Sequence, residues 1–271
     1  MRCCNVEESV YRVPGPVRLT LAHISDLHNE TGEEVLASLR RHRPGLIAVT
    51  GDLLRGLRPR GSGLLMEEQR DIPLFLARCA GLAPTYVSLG NHEWMTCPED
   101  LDRLTATGVV LLDNRWAEAG GLVIGGLTSG YASHYRRFRQ EQGGTELYPR
   151  CRYPRWRPPD PESEWLAGFE ARPGFRLLLS HHPEYWSLTR PKLSERKIHL
   201  VLSGHAHGGQ IRLGDWGLYA PGQGLLPKYS GGLHRGPWGC MAVSRGLANT
   251  ARPIPRLFNP RELVYIEIGG E

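Results

Sequence analysis

Five short stretches of the chain carry oxygen and imidazole donors beside glycine or at the end of an apolar run. They are Asp26-Leu27-His28, Gly51-Asp52, Gly90-Asn91-His92-Glu93, His181-His182-Pro183 and Gly204-His205-Ala206-His207. Carboxylate oxygen and imidazole nitrogen bind Mn, Fe and Zn well, and an amide such as that of Asn91 adds a neutral oxygen ligand. Because a carboxylate has two oxygens, one Asp can bridge two ions. The chemistry these residue types suit is the holding of divalent metal. Cys3, Cys4, Cys79, Cys97, Cys151 and Cys240 show no Cys-x-x-Cys or other metal spacing. That argues against a structural zinc site and for ordinary reduced thiols. Asp-x-His and Gly-Asp are weak signals alone. Gly-Asn-His and Gly-His-x-His are stronger, since each arises by chance in roughly one such chain in a hundred. His23, His42, His134, His199 and His234 stand outside the five stretches and read as ordinary core or surface residues.

The elements that must position these groups are short buried strands. Apolar runs over 19–25, 45–52, 85–92, 175–184 and 198–209 each end in one of the five stretches. In open α/β sheets, ligands bind beyond the carboxyl ends of the strands, so five strand ends with donor chemistry predict one shared site. Glycine at 51, 90 and 204 lets the backbone turn beside it. Helical spacing is found over 33–41, over 66–82 with a kink or restart at Pro73, and over 98–107. Further strands are expected at 109–113, 121–128, 240–246 and 262–268. The stretch 131–174 is rich in Arg, aromatic residues and Pro, and reads as a surface excursion ending in a short helix near 162–170. Without internal repeat or linker, residues 1–271 are expected to form one domain.

A hydrophobic share of 40% and a charged share of 23% are those of a globular chain. The net charge of +5, much of it Arg, favours anionic partners such as phosphates or acidic lipid surfaces. Arg136, Arg137, Arg139, Arg152, Arg155 and Arg157 are candidates for phosphate or headgroup contacts, and the Tyr and Trp among them suit a peripheral membrane contact. There is no apolar stretch of eighteen residues, and the first residues lack the apolar segment of a secretory signal. Cytoplasmic residence is the expectation.

The succession D-x-H, G-D, G-N-H-E, H-x-P and G-H-x-H, over residues 26–207, resembles the calcineurin-like metallophosphoesterase superfamily. The stretch SGHAHGGQIRLGDWGLYAPGQGLLPKY followed by VSRGL is similar to the YkuE/YaeI-like branch of phosphodiesterases, extending the likeness through the chain. The resemblance implies an α+β fold, a four-layer α/β/β/α sandwich of two mixed β-sheets flanked by helices, the metallo-dependent phosphatase fold. It implies two divalent ions, Mn, Fe or Zn with Mg also admissible. One ion would take Asp26, His28, Asp52 and His207; the other Asp52, Asn91, His205 and one histidine of the 181–182 pair. The likeness points to His181, with His182 behind it or facing substrate. His92 resembles the family's non-ligand histidine beside the phosphate, and Glu93 is expected to orient it by a hydrogen bond. The Val-Asp-Asp-type segment of relatives is missing around 128–131, where this chain reads TSGY.

The implied activity is hydrolysis of a phosphodiester or pyrophosphate in a small-molecule, nucleotide-linked or lipid-linked substrate, without a covalent intermediate. Two ions can lower the pKa of a bridging water from 15.7 towards about 7, producing the attacking hydroxide, with His92 as proton donor to the leaving oxygen. A phosphomonoesterase is the nearest alternative; a nuclease or a non-catalytic interaction scaffold comes further behind, and no specific nucleic acid partner is expected.

Overall fold

Alternation of apolar residues along the strands decides the architecture. In the computed structural model, which describes residues 6–56, 63–132, 164–248 and 254–270, the chain runs β1 (Val6–Val13), β2 (Leu19–Ile24), α1 (Glu33–His42), β3 (Leu46–Thr50), α2 (Leu65–Glu68), α3 (Asp71–Ala80) and β4 (Thr85–Ser88). It continues through α4 (Pro98–Thr105), β5 (Val110–Leu111), β6 (Arg115–Ala119), β7 (Leu122–Leu127), α5 (Glu164–Glu170), β8 (Phe175–Ser180) and β9 (Leu200–Ser203). Two small hairpins follow, β10 (Arg212–Leu213) with β11 (Trp216–Gly217) and β12 (Tyr219–Ala220) with β13 (Gly224–Leu225). The last strands are β14 (Gly232–Arg235), β15 (Cys240–Val243) and β16 (Arg261–Ile268).

Two six-stranded mixed sheets result. The first has the order β1-β16-β2-β3-β4-β5 and is parallel from β2 to β5, with β16 antiparallel to β2. The second has the order β14-β15-β9-β8-β7-β6 and is parallel from β15 to β7, with antiparallel strands at both edges. Successive strand residues point to opposite faces. Leu21, Leu46, Ala48, Val264 and Ile266 of the first sheet therefore pack with Leu122, Ile124, Leu177, Leu179, Leu200 and Leu202 of the second in one buried layer. Their neighbours Ile24, Ile47, Val49 and Tyr265 face the opposite way, onto Val35, Leu36 and Leu39 of α1 and Ile72, Phe75 and Leu76 of α3. Val123, Leu178, Val201 and Val243 face Leu166 and Phe169 of α5. Three apolar layers between helices, two sheets and helices make the expected four-layer sandwich.

Local chemistry sets the helix ends. Glu33 and Glu34 open α1 and Arg40, Arg41 and His42 close it, each on the favourable end of the helix dipole. The helical stretch expected over 66–82 is two helices, and the restart falls at Asp71, before Pro73. Pro73 falls in the first turn of α3, where its missing N–H has no intrahelical partner to lose. Pro98 opens α4, and Asp100 accepts from the Cys97 amide at 3.2 Å. Strand β1 had no counterpart in the sequence reading. It is an edge strand paired only with β16, half-exposed and interrupted by Glu7 and Glu8, so its alternation is diluted. Of the excursion expected at 131–174, residues 133–163 lie outside the described part, with its arginines. Its closing helix is α5. Among the described residues, no helix is long and apolar enough to cross a membrane.

Candidate metal centre

The five donor stretches converge on one end of the sandwich. β2, β3 and β4 of one sheet deliver Asp26 and His28, Asp52, and Asn91; β8 and β9 of the other deliver His181, and His205 with His207. The turns are tied to one another by main-chain bonds. Asp26 N donates to Gly51 O at 3.2 Å, His28 N to Asp52 O at 3.0 Å, and Gly204 N to His181 O at 3.0 Å. The His205 amide donates to both oxygens of Asp26 at 3.1 Å. The backbone is strained at the donor residues themselves. Asp26, His28, Asp52, His205 and His207 have φ of 54°, 44°, 52°, 65° and 46°, in the left-handed region that non-glycine residues rarely occupy. Such strain persists only where surrounding structure enforces it, and it gathers at functional sites. Gly51, at φ 79°, abuts the Gly90 backbone so closely that a Cβ there would overlap the Gly90 nitrogen. A Cβ on Gly204 would overlap Ser25 Oγ and Asp26 Oδ2. The loops can meet only because these positions lack side chains.

Three imidazoles are aimed by the same device. His28 Nδ1 lies 3.1 Å from Leu54 O, His207 Nδ1 3.3 Å from Ala248 O, and His181 Nδ1 2.6 Å from Thr50 O. A carbonyl oxygen only accepts, so each Nδ1 carries a proton and each Nε2 faces inward; His28 and His207 present a lone pair there, while His181 Nε2 faces the Asp52 carboxylate. His28 Nε2 and His207 Nε2 are 3.3 Å apart, and Asp26 Oδ1 is 3.4 Å from His207 Nε2. Asp52 Oδ2 stands at the hub, 3.2 Å from His181 Nε2, 3.7 Å from His28 Nε2 and 3.8 Å from His92 Nε2. Two groups of donor atoms, Asp26 with His28 and His207, and Asp52 with His181 and His205, each lie within 4.8 Å of one another. Facing lone pairs repel at such a separation unless a cation sits between them. Two nitrogens each about 2.0–2.1 Å from one ion would be about 3.0–3.4 Å apart, which matches His28 and His207. Asn91 Oδ1 is buried without a hydrogen-bond partner, as an amide oxygen reserved for a cation would be. The donor set fits divalent metal.

The electrostatics agree. Burial lowers His28, His205 and His207 below the usual imidazole range, and the neutral ring is the form that binds metal. Burial opposes a charge on His181 too, but Asp52 beside it raises it to about 10. Burial likewise opposes the charge on Asp52, yet His181 and His92 hold its carboxyl well below the usual range. The carboxylate pair Asp26 and Asp52 thus favours positive charge at the point where the rings meet.

The neighbouring histidines take different places. His92 is partly exposed, its ring edge-on to His28 at 4.4 Å between centroids and its amide donating to Asp52 Oδ1 at 2.8 Å. His182 is fully buried beneath His181 and His205, with Nε2 2.8 Å from Ser129 Oγ. His23 is 2.8 Å from Thr50 Oγ1, and His42, His199 and His234 bond Glu8, the Arg176 amide and Gly231 O.

Glu93 corrects the sequence reading. Its oxygens do not orient His92; they accept four main-chain N–H groups, from Asp52 (2.9 Å), Gly90 (2.7 Å), Leu53 (2.8 Å) and Leu54 (3.1 Å). One carboxylate thereby holds the β3 and β4 loops together. Burial and the adjacent Asp52 charge raise Glu93, to about 7.

Two supports had no sequence signal. Asn259 Nδ2 donates to His207 O at 2.7 Å and Gln210 O at 3.1 Å. Arg256 donates to the carbonyls of Ala248, Gly246, Asn259 and Pro260, and burial lowers it to about 10. Both lie some fifty residues beyond His207, which they brace, and the main-chain pairing of Leu257 with Gln210 and Arg212 brings them there.

Comparison with known proteins agrees with this geometry. The family profile of calcineurin-like phosphoesterases matches residues 19–209. The chain is 25% identical to YpbG of Bacillus subtilis over 96% of its own length and 85% of that protein's. It is 24% identical to a metallophosphoesterase of Aquifex aeolicus over 96% of its length and 88% of the relative's. YkuE of Bacillus subtilis, a metallophosphoesterase, is 34% identical over 92 residues, which are 34% of this chain and 30% of YkuE. The family match, the two-sheet sandwich and the converged donor set lead to one conclusion: the chain belongs to the calcineurin-like phosphoesterases and is a hydrolase of phosphoric esters.

Proposed function

We propose that this chain is a dinuclear phosphodiesterase or pyrophosphatase acting on a nucleotide- or lipid-linked substrate. The observation that carries the dinuclear reading is the Asp52 hub, whose Oδ2 stands between the His28–His207 pair on one side and His181 on the other. In this reading Asp26, His28, Asp52 and His207 hold one ion, and Asp52, Asn91, His181 and His205 the other. Mn, Fe or Zn suits this mix of nitrogen and oxygen donors, and Mg is admissible. Bound there, the ions would supply Lewis-acid polarisation of the phosphoryl oxygens and a more acidic water.

The chain's own residues do the rest. The carbonyls of Leu54, Thr50 and Ala248 hold a proton on Nδ1 of His28, His181 and His207 and so turn Nε2 towards the metal; on His181 the proton that Nε2 shares with Asp52 would leave as metal arrives. Glu93 fixes where Asp52 points by gripping the amides on either side of the turn. His92, the partly exposed histidine at the rim, is placed to donate a proton from Nε2 to the leaving oxygen. Burial of the ligand rings keeps bulk water from competing for their lone pairs.

The resemblance of the stretch SGHAHGGQIRLGDWGLYAPGQGLLPKY to a branch of phosphodiesterases favours a diester or pyrophosphate substrate, and the net charge of +5 suits an anionic substrate or a peripheral contact with an acidic lipid surface. The test is hydrolysis of a bis-aryl phosphate against the mono-aryl phosphate by metal-reconstituted protein. We expect the diester to be cleaved with the higher kcat/KM. Preference for the monoester would replace this reading by that of a phosphomonoesterase. Screening nucleotide, sugar-nucleotide and phospholipid esters, free and in anionic vesicles, would then assign the substrate class.

A further inference from the structure

A second buried carboxylate stands behind the metal centre. Glu184 follows the His181-His182 pair in the turn Pro183–Trp186 and is fully buried. Its Oε1 accepts from Gln223 Nε2 at 2.9 Å, while Gln223 is held by Tyr229, whose amide it accepts at 2.8 Å. Its Oε2 is buried with no hydrogen bond and lies 3.8 Å from His182 Nδ1. Donor atoms of His182, Glu184 and His205 all lie within 4.8 Å of one another, and the rings of His182 and His205 meet edge to face at 4.6 Å. A carboxylate taken out of water needs hydrogen-bond donors or charge around it. Its donors are the Gln223 side-chain amide and its own main-chain N–H, and the group facing its second oxygen is the His182 imidazole.

His182 in turn reaches across the sandwich. Its Nε2 is 2.8 Å from Ser129 Oγ, and the Ser129 amide donates to Leu89 O at 2.9 Å, two residues before Asn91. Gln223 and Glu184 on one side, and Ser129 with the loop bearing Asn91 on the other, therefore meet at His182, whose Nδ1 stands 3.8 Å from the Glu184 carboxylate. The His182 ring packs edge to face on two of the donors assigned above to the second ion, His181 and His205. We propose that Glu184 is a positioning residue for that ion, acting through His205 and His182. This rests on the dinuclear reading. Metal-bound histidines are commonly backed by a carboxylate that orients the ring and raises its basicity, and loss of such a group costs about 10–100-fold in metal affinity. The Glu184 charge 3.8 Å away favours the His182 proton on Nδ1, so that Nε2 accepts from the Ser129 hydroxyl.

The test is a Zn titration of the metal-stripped full-length chain by calorimetry with a competing chelator, with 15N spectra of the histidines recorded on the zinc-loaded protein. Wild type is expected to bind two ions in two steps. Glu184→Gln keeps the volume and the Gln223 contact, and we expect it to weaken one step about 10–100-fold while the other is unchanged, and to move the His182 proton from Nδ1 to Nε2. Gln223→Ala removes the outer support alone and is expected to leave both steps near wild type. Two unchanged steps in folded Glu184→Gln, or an equal loss in Gln223→Ala, would overturn the proposal while leaving the dinuclear reading intact. Fewer than two zinc ions in wild type would remove the reading beneath it. If Glu184→Gln does not fold, the wild-type spectrum decides: a His182 proton on Nε2 contradicts the proposal.

Discussion

Replacing Glu93 with Gln isolates the strut beneath the metal loops. The side chain is almost fully buried, and its two oxygens each serve two amides: Leu53 and Leu54 on Oε1, Asp52 and Gly90 on Oε2. Gln preserves the shape, but one terminus becomes an NH2 group facing two N–H donors. Two buried amides then lose their acceptor, at about 1–3 kcal/mol each, so a loss of about 2–6 kcal/mol is expected. Against a total of about 5–15 kcal/mol for a typical domain, that is a large fraction. With a urea m value of about 3 kcal/mol/M, the midpoint should fall by about 0.7–2 M. The assay is urea denaturation of metal-stripped protein, so that metal linkage does not contribute. An unchanged midpoint with an unchanged slope would refute the argument, because it would mean the four amides find other acceptors at no cost.

Other outcomes follow from the same geometry. Asp52→Asn should lose metal, measured by elemental analysis, together with nearly all turnover, because one oxygen is the hub for three histidines. His92→Ala should keep its metal content and fold but lose about 10²–10⁴ in kcat, and an activity near wild type would remove His92 from the proton step. Gly51→Ala should destabilise by more than ~1 kcal/mol, where alanine at a compatible glycine position would stabilise, since the position combines φ of 79° with contact against Gly90; thermal denaturation reads this directly.

The donor residues were legible because metal chemistry restricts residue type and because each follows a strand, where a short apolar run is easy to see. The parallel strands β2, β3, β8 and β9 are buried on both faces and read as short apolar blocks. The edge strands β1, β6 and β14 were not legible, since one exposed face and a single pairing partner leave room for Glu7, Glu8, Arg115 and Arg235. Roles that depend on long-range return of the chain were hidden too. Nothing in the local sequence marks Arg256 or Asn259 as braces of His207, and the family resemblance pairs Glu93 with His92, whereas its oxygens are taken by amides up to 41 residues away. Sequence proximity predicts contact poorly at a turn where two sheets meet.

The central claim is that the ligand loops of both sheets enclose two cations sharing the Asp52 carboxylate. Anomalous diffraction from crystals soaked in Mn measures this most directly. The account predicts two peaks about 3.5–4 Å apart, one between His28 and His207 and the other beside His181 and His205, with Asp52 between them. A single peak, or peaks away from Asp52, would contradict it.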